Sequence, residues 1–149
     1  MSALIGKIVI GSDHAAYTLK EHLKAWLTRA GTQVTDVGAS STDSVDYPDI
    51  AAKVAARILK KEFDKGILLC GTGLGVCYAA NRFKGIRAAL CANVETAIMA
   101  SSHNNANVLC LGGRVLKDEE AEKITEAWLT TPFEGGRHQR RIDKLDNLG

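Results

Sequence analysis

The sequence predicts an α/β fold, a three-layer αβα sandwich around a five-stranded parallel sheet of the Rossmann or flavodoxin-like kind. Three observations predict it. Five short, apolar, β-branched runs recur along the chain: KIVIG (7–11), TQVTDVG (32–38), GILLC (66–70), IRAALC (86–91) and NVLCLG (107–112). Several are apolar at nearly every position, as suits strands covered on both faces. Stretches with helical periodicity alternate with them, and that alternation calls for parallel strands with crossover helices.

Each helix has its own signal. Leu19, Leu23, Trp26 and Leu27 share one face of the first. Ile50, Val54 and Ile58 share a face of the second, where Pro48 suits a first-turn position. Ile124, Trp128 and Leu129 anchor a later helix that Thr131-Pro132 halts. A last helix, over about residues 137–148, follows Gly135-Gly136. SSTDSVD (40–46) is the longest polar stretch and reads as a loop. No repeat or linker divides the chain, so residues 1–149 are expected to form one domain. At 149 residues it can bury roughly two-thirds of its unfolded surface.

Composition narrows the function classes. The net charge is +2, which implies neither a nucleic-acid nor a membrane partner. The N-terminus has no leader pattern, and no apolar run approaches the length of a membrane span. A soluble, cytoplasmic protein is expected. The four cysteines, Cys70, Cys77, Cys91 and Cys110, form no CxxC pair and have no histidine at zinc-finger spacing. Cys77, Cys91 and Cys110 read as buried free thiols, and no metal site is expected.

In an open α/β sheet, ligands sit beyond the carboxyl ends of the strands near the topological switch point. Two polar clusters fall there: Ser12-Asp13-His14 after the first strand, and Cys70-Gly71-Thr72-Gly73 after the third. Gly71, Gly73 and Gly75 form G-x-G-x-G, with Val76 where a dinucleotide fingerprint needs its last glycine. The Lys-Ser/Thr ending of a P-loop is also missing. What remains is a strand-to-helix turn whose amides suit an anion or a developing oxyanion. A glycine turn serving only tight packing fits the same residues, but Cys70 beside it favours chemistry. Asp13 is explained equally well as a helix cap; His14 is not. His103-Asn104-Asn105 reads on its own as a polar loop ending a helix, and His22 as a surface residue. Arg137 and Arg141, four apart, share a helix face and could fork around phosphate or carboxylate, although a solvated basic face is the commoner outcome. Arg114 is a further possible anion contact.

Taken together, Asp13-His14, the Asp46-Tyr47-Pro48 turn, CGTGLG followed by Ala79-Ala80-Asn81, His103-Asn104 and FEGGRHQRR resemble the type B ribose-5-phosphate isomerases and their relatives, the galactose-6-phosphate isomerase subunits. The match runs in order over nearly the whole chain. The resemblance implies aldose–ketose isomerisation of a phosphorylated sugar through a cis-enediolate, with no cofactor. It implies Cys70 as the base, and Thr72 with the amides of Gly71, Gly73 and Gly75 around the enediolate oxygen. Asp13 would hold sugar hydroxyls, with Tyr47 beside them. His103 would open the furanose with Asn104, and His14, Arg114, Arg137 and Arg141 would bind phosphate. It further implies a homo-oligomer, dimer or tetramer, with shared sites in which His103, Asn104, Arg137 and Arg141 come from the partner chain. The glutamate base of one branch of that family is matched here by Val76. Ser101-Ser102 and Asn105 depart from the family pattern beside His103, which leaves the sugar open between ribose 5-phosphate and a hexose phosphate such as galactose or allose 6-phosphate. A non-catalytic phosphate- or nucleotide-binding module and a thiol redox enzyme are the other classes weighed. The first gives no reason for the cysteine, and the second lacks a resolving CxxC partner.

Overall fold

A computed structural model describes Leu4 and residues 6–149. Met1–Ala3 and Ile5, part of the stretch read above for a leader, lie outside the described residues. The strands are β1 (Gly6–Ser12), β2 (Thr32–Asp36), β3 (Lys65–Cys70), β4 (Ala88–Leu90) and β5 (Val108–Gly112). The helices are α1 (Tyr17–Arg29), α2 (Tyr47–Leu59), α3 (Leu74–Ala80), α4 (Val94–Ser102), α5 (Asp118–Thr130) and α6 (Arg137–Asp146). All pairings are parallel, in the order β2-β1-β3-β5-β4. The expected sandwich is present. Burial explains the swap of the last two strands: β5 is buried at all five positions and takes the inner place, while half-exposed β4 closes the edge.

Alternate residues of the central strands face opposite layers, as the two-residue period of a strand requires. Ile8, Ile10, Ile67, Leu69, Leu109 and Leu111 pack with Leu23, Leu27 and Trp128 from α1 and α5. Val9, Leu68, Cys70, Val108 and Cys110 pack with Val54, Ile58 and Val76 from α2 and α3. Each fully buried Leu or Ile contributes about 1.5–3 kcal/mol. An exposed pair such as Arg57–Glu62, at 2.8 Å, contributes about 0–1 kcal/mol. The two apolar layers therefore dominate stability.

Local signals place the helix starts. Pro48 lies in the first turn of α2. Asn93 caps α4 by accepting from the Thr96 amide at 2.8 Å. The acidic run Asp118–Glu120 opens α5, where Glu120 accepts from the Lys117 amide at 2.8 Å. His22 is more than a surface residue: its Nε2 lies 2.5 Å from Glu122 Oε2, joining half-buried α1 and α5 side chains. In α6 only His138 and Ile142 are buried, so most of that helix is uncovered. Among the described residues no helix is long and apolar enough to cross a membrane.

One buried charge shapes the edge beside β1. Lys20 is fully buried, and its Nζ donates to Asp36 Oδ2 at 2.6 Å and to the Ala39 carbonyl at 2.5 Å. Burial alone would raise the Asp36 carboxyl. Hydrogen bonds from Lys20, Lys24 and the Gly38 amide outweigh it and hold Asp36 below its ordinary pKa. The folded pKa is thus the lower one. This stabilisation is complete above the unfolded carboxyl's pKa and is lost as pH falls through that value toward the folded one. Asp36→Ala would leave the Lys20 charge uncompensated, and we predict a loss of about 3–5 kcal/mol by urea unfolding at pH 7. Removing the part-exposed Lys24 should cost under about 1 kcal/mol. The gap between wild type and Asp36→Ala should narrow below pH 4, measured by the same titration in acid.

Candidate active site

The switch point lies between β1 and β3, and the residues expected there converge. The Asp13 amide donates to the Leu69 carbonyl at 3.1 Å, which sets Asp13 beside the end of β3. Its carboxylate accepts from the Ala15 amide at 3.0 Å, so the capping reading of Asp13 holds as well. His14 Nδ1 accepts from the Val45 amide at 3.2 Å. That bond leaves the proton of a neutral ring on Nε2, free to donate to an anion. Cys70 ends β3 and is 5% exposed.

The glycine turn is shaped by contact. Gly73 caps α3 in the left-handed region, at φ 83°. A Cβ there would lie 2.6 Å from the Leu90 side chain and 3.0 Å from the Leu111 backbone. A Cβ on Gly75 would lie 2.7 Å from the Tyr47 ring, and one on Gly112 2.7 Å from the Thr72 backbone. Tyr47 and Thr72 are thereby seated against the loop, and the Arg114 guanidinium lies over Gly71. The first-turn amides of a helix have no partner within it. Thr72 Oγ1 satisfies that of Leu74, at 3.2 Å. Val76 is buried in the core and offers no acid.

His103, Asn104, Arg137 and Arg141 are elsewhere. Chain α4 starts near the carboxyl end of β4 and runs back, so its cap His103 lies at the amino-terminal edge of the sheet, ahead of Val108. The four steps from Gly66 to Cys70 span roughly 13 Å. His103, Asn104, Arg141, His138, Ile142 and Leu145 line a cavity of about 280 Å³ at that edge. One chain thus divides the expected residues into two sets at opposite ends of the strands. Ser101 and Ser102 face inward, donating to the Trp128 and Ile98 carbonyls at 2.6 and 2.8 Å. They cannot choose a sugar by touching it.

Two features escaped the sequence reading. His138 stacks on His103 with ring centroids 4.3 Å apart. The i, i+4 pairing of His138 with Ile142, rather than with the flanking arginines, is the sequence signal that marks it as inward. Cys77 is the other, and it corrects the expectation of a buried thiol. It is half-buried, with Asn81 Nδ2 3.5 Å from its sulfur. Its pKa is lowered to about 7, first by the Cys110 thiol donating to it, against a burial effect that would raise it. Cys91 and Cys110 are buried as expected; burial pushes Cys91 up to about 11, and the bond to Cys77 with burial pushes Cys110 well above its usual value.

Comparison with known proteins finds relatives over nearly the whole chain. The family model described as Ribose/Galactose Isomerase matches residues 8–145. The chain belongs to that family. It is 44% identical over 139 residues, 93% of each chain, to ribose-5-phosphate isomerase B of Escherichia coli strain K12. It is 50% identical to a probable ribose-5-phosphate isomerase B of Mycoplasma genitalium, over 93% of this chain and 92% of that one. A ribose 5-phosphate isomerase structure from Thermotoga maritima superposes with TM-score 0.94 at 56% identity, covering 96% of this chain and 99% of that one. The Mycoplasma genitalium enzyme, solved with bound ribulose-5-phosphate, superposes with TM-score 0.91 at 48% identity, covering 94% and 93%.

Cys77 should therefore be the thiol that alkylates with an apparent pKa of about 7. Iodoacetamide labelling from pH 5 to 10, read by peptide mass spectrometry, should show Cys91 and Cys110 protected throughout.

Proposed function

We propose that the protein interconverts ribose 5-phosphate and ribulose 5-phosphate through a cis-enediolate. The observation that carries the reading is the crevice at the switch point, where a nearly buried thiol, a carboxylate, a glycine turn and an arginine meet. A proton moves between C2 and C1 of the sugar, and Cys70 is the only titratable group on the turn. Thiolate takes the proton from one carbon and returns it to the other, so the base is regenerated. Thr72 and the turn amides hold the oxygen that becomes negative; one such donor is worth about 10²–10³-fold. Asp13 and Tyr47 face the sugar, and Arg114 with His14, through its Nε2 proton, faces an anion. Phosphate is remote from the reacting carbons, so its binding energy serves to orient them.

The reading also requires a second copy of the chain. His103, to open the furanose, with Asn104, Arg137 and Arg141 cannot reach the Cys70 of their own chain. A two-fold axis perpendicular to the strands would set the amino-terminal edge of one protomer beside the carboxyl edge of the other. Helix α6, buried at only two positions, is the element available to reach across. The metal-free, cofactor-free chemistry needs only these groups.

Cys70→Ala should fold normally and lose turnover of ribose 5-phosphate by about 10²–10⁴-fold, together with solvent deuterium exchange at C1 of ribulose 5-phosphate. Near-normal turnover would sink the mechanism, and turnover of hexose phosphates alone would transfer the reading to the six-carbon sugars. Sharing of the site has its own test. Cys70→Ala and His103→Asn, each inactive, should recover about a quarter of wild-type activity when unfolded and refolded together, because half the dimers are mixed and carry one intact site of two. A site held within one chain would recover nothing.

A further inference from the structure

The isomerase reading gives His138 and Glu134 no work, yet they are the closest polar neighbours of His103. The His138 and His103 rings are stacked at 4.3 Å, with planes 11° apart. The His138 side chain is 7% exposed, against 36% for His103. Its buried Nε2 has no hydrogen-bond partner, which in a native core calls for an explanation. The nearest acceptor is Glu134 Oε1, 3.5 Å away, and that same oxygen is 3.9 Å from His103 Nε2. Glu134 is itself fixed to the end of α4, its amide donating to the Ser102 carbonyl at 3.0 Å.

Three groups therefore compete for few protons. Two imidazoles in face contact do not readily both carry charge. Burial first, then the Arg137 guanidinium and the His103 ring, with Arg141 adding to them, lower the His138 pKa; Glu134 alone opposes. These are the charged groups facing His138: Arg137 and Arg141 from α6, Glu134 from the loop before it, and His103 from the end of α4. Burial and the neighbouring cations disfavour a charge on His138, and one carboxylate oxygen stands between the two rings.

We propose that His138 is a positioning residue that, with Glu134 shared between the two rings, clamps the His103 ring in place for opening the sugar ring. This rests on the reading in which His103 opens the furanose. Opening breaks the C1–O4 bond, removes a proton from O1 and places one on O4, so His103 ends with as many protons as it began. It must hold a proton at one moment and accept one at the next. A carboxylate oxygen 3.9 Å from the His103 ring nitrogen and 3.5 Å from that of His138 can follow this charge. The stack keeps the ring from turning as the charge changes.

The chemistry of the substrates supplies a selective test. Ribulose 5-phosphate carries its phosphate on O5 and cannot close a furanose, so deuterium exchange at its C1 needs the base but no ring opening. His138→Gln should lower turnover of ribose 5-phosphate roughly tenfold or more while leaving that exchange within about twofold of wild type. The His103 ring signals in NMR of free protein give a readout independent of activity. His138→Gln should remove the ring-current shift that the stacked imidazole places on them, and Glu134→Gln should lower turnover of ribose 5-phosphate more than it lowers exchange. Glu134 is exposed, so its variant tests the proposal even where His138→Gln folds poorly. His103 ring signals unchanged in His138→Gln, or equal loss of turnover and exchange in either variant, would overturn it. Failure of wild-type protein to turn over ribose 5-phosphate or to exchange C1 would instead overturn the isomerase reading beneath it.

Discussion

Four glycines at the carboxyl end of the sheet approach their neighbours too closely for a Cβ, and the rest of the site depends on that contact. Gly112 lies against the Thr72 backbone, Gly73 against Leu90 and Leu111, Gly75 against the Tyr47 ring, and Gly113 against Ala16, each with room for a hydrogen alone. The turn after β3 is thereby held down on the end of β5. The Gly113 and Arg114 amides complete the contact by donating to the Cys70 and Gly71 carbonyls, both at 2.9 Å. Any side chain at these glycines would lift the turn and separate Cys70 from Arg114. The positive φ of Gly73 adds a second reason for glycine at that one position.

Chain connectivity imposes the other constraint. In a parallel sheet every crossover helix returns to the opposite edge, so a residue at a helix end cannot share a crevice with a residue at a strand end of the same chain. Asp13 and Cys70 follow strands and meet; His103 follows a helix and does not. Gly38, whose carbonyl accepts from the Ser12 amide at 2.7 Å, links the Lys20–Asp36 charge pair to the same carboxyl edge. The buried pair therefore sits under the crevice that holds Asp13 and Cys70.

Much of this was legible from residue types. The doubly covered strands announce themselves as unbroken apolar runs, and Pro48 and the Thr131-Pro132 stop are local signals that packing left in place. The place of β5 inside β4 was not legible, because it turns on which strand is buried more completely, and both read as apolar. Cys70, the glycine turn and Asp13-His14 could be found because a strand's end and a switch point follow from order along the chain. The partition of His103 from Cys70 needed the direction of α4. The character of Cys77 needed a contact with Cys110, which is distant in the chain. His138 stood inside a quoted motif between two more conspicuous arginines, and only burial separates its role from theirs.

On the proposed reading, the two edges divide the reaction in a way that follows from their chemistry. Proton transfer between carbons needs a base in a dry, preorganised setting, and Cys70 at the end of a buried strand has one. Ring opening needs a group that gains and loses a proton within a turnover, which suits a half-exposed imidazole beside a shared carboxylate more than a core position. The uncovered helix α6 carries both the anion-binding arginines and the residue that holds His103. Helix α6 and the end of α4 stacked against it would then deliver the phosphate contacts and the ring-opening group to the partner together, and the substrate's phosphate would report to His103 that the sugar is seated. Arg137 and His138 are adjacent in sequence, so a shift of α6 by even one helical position would break both functions at once.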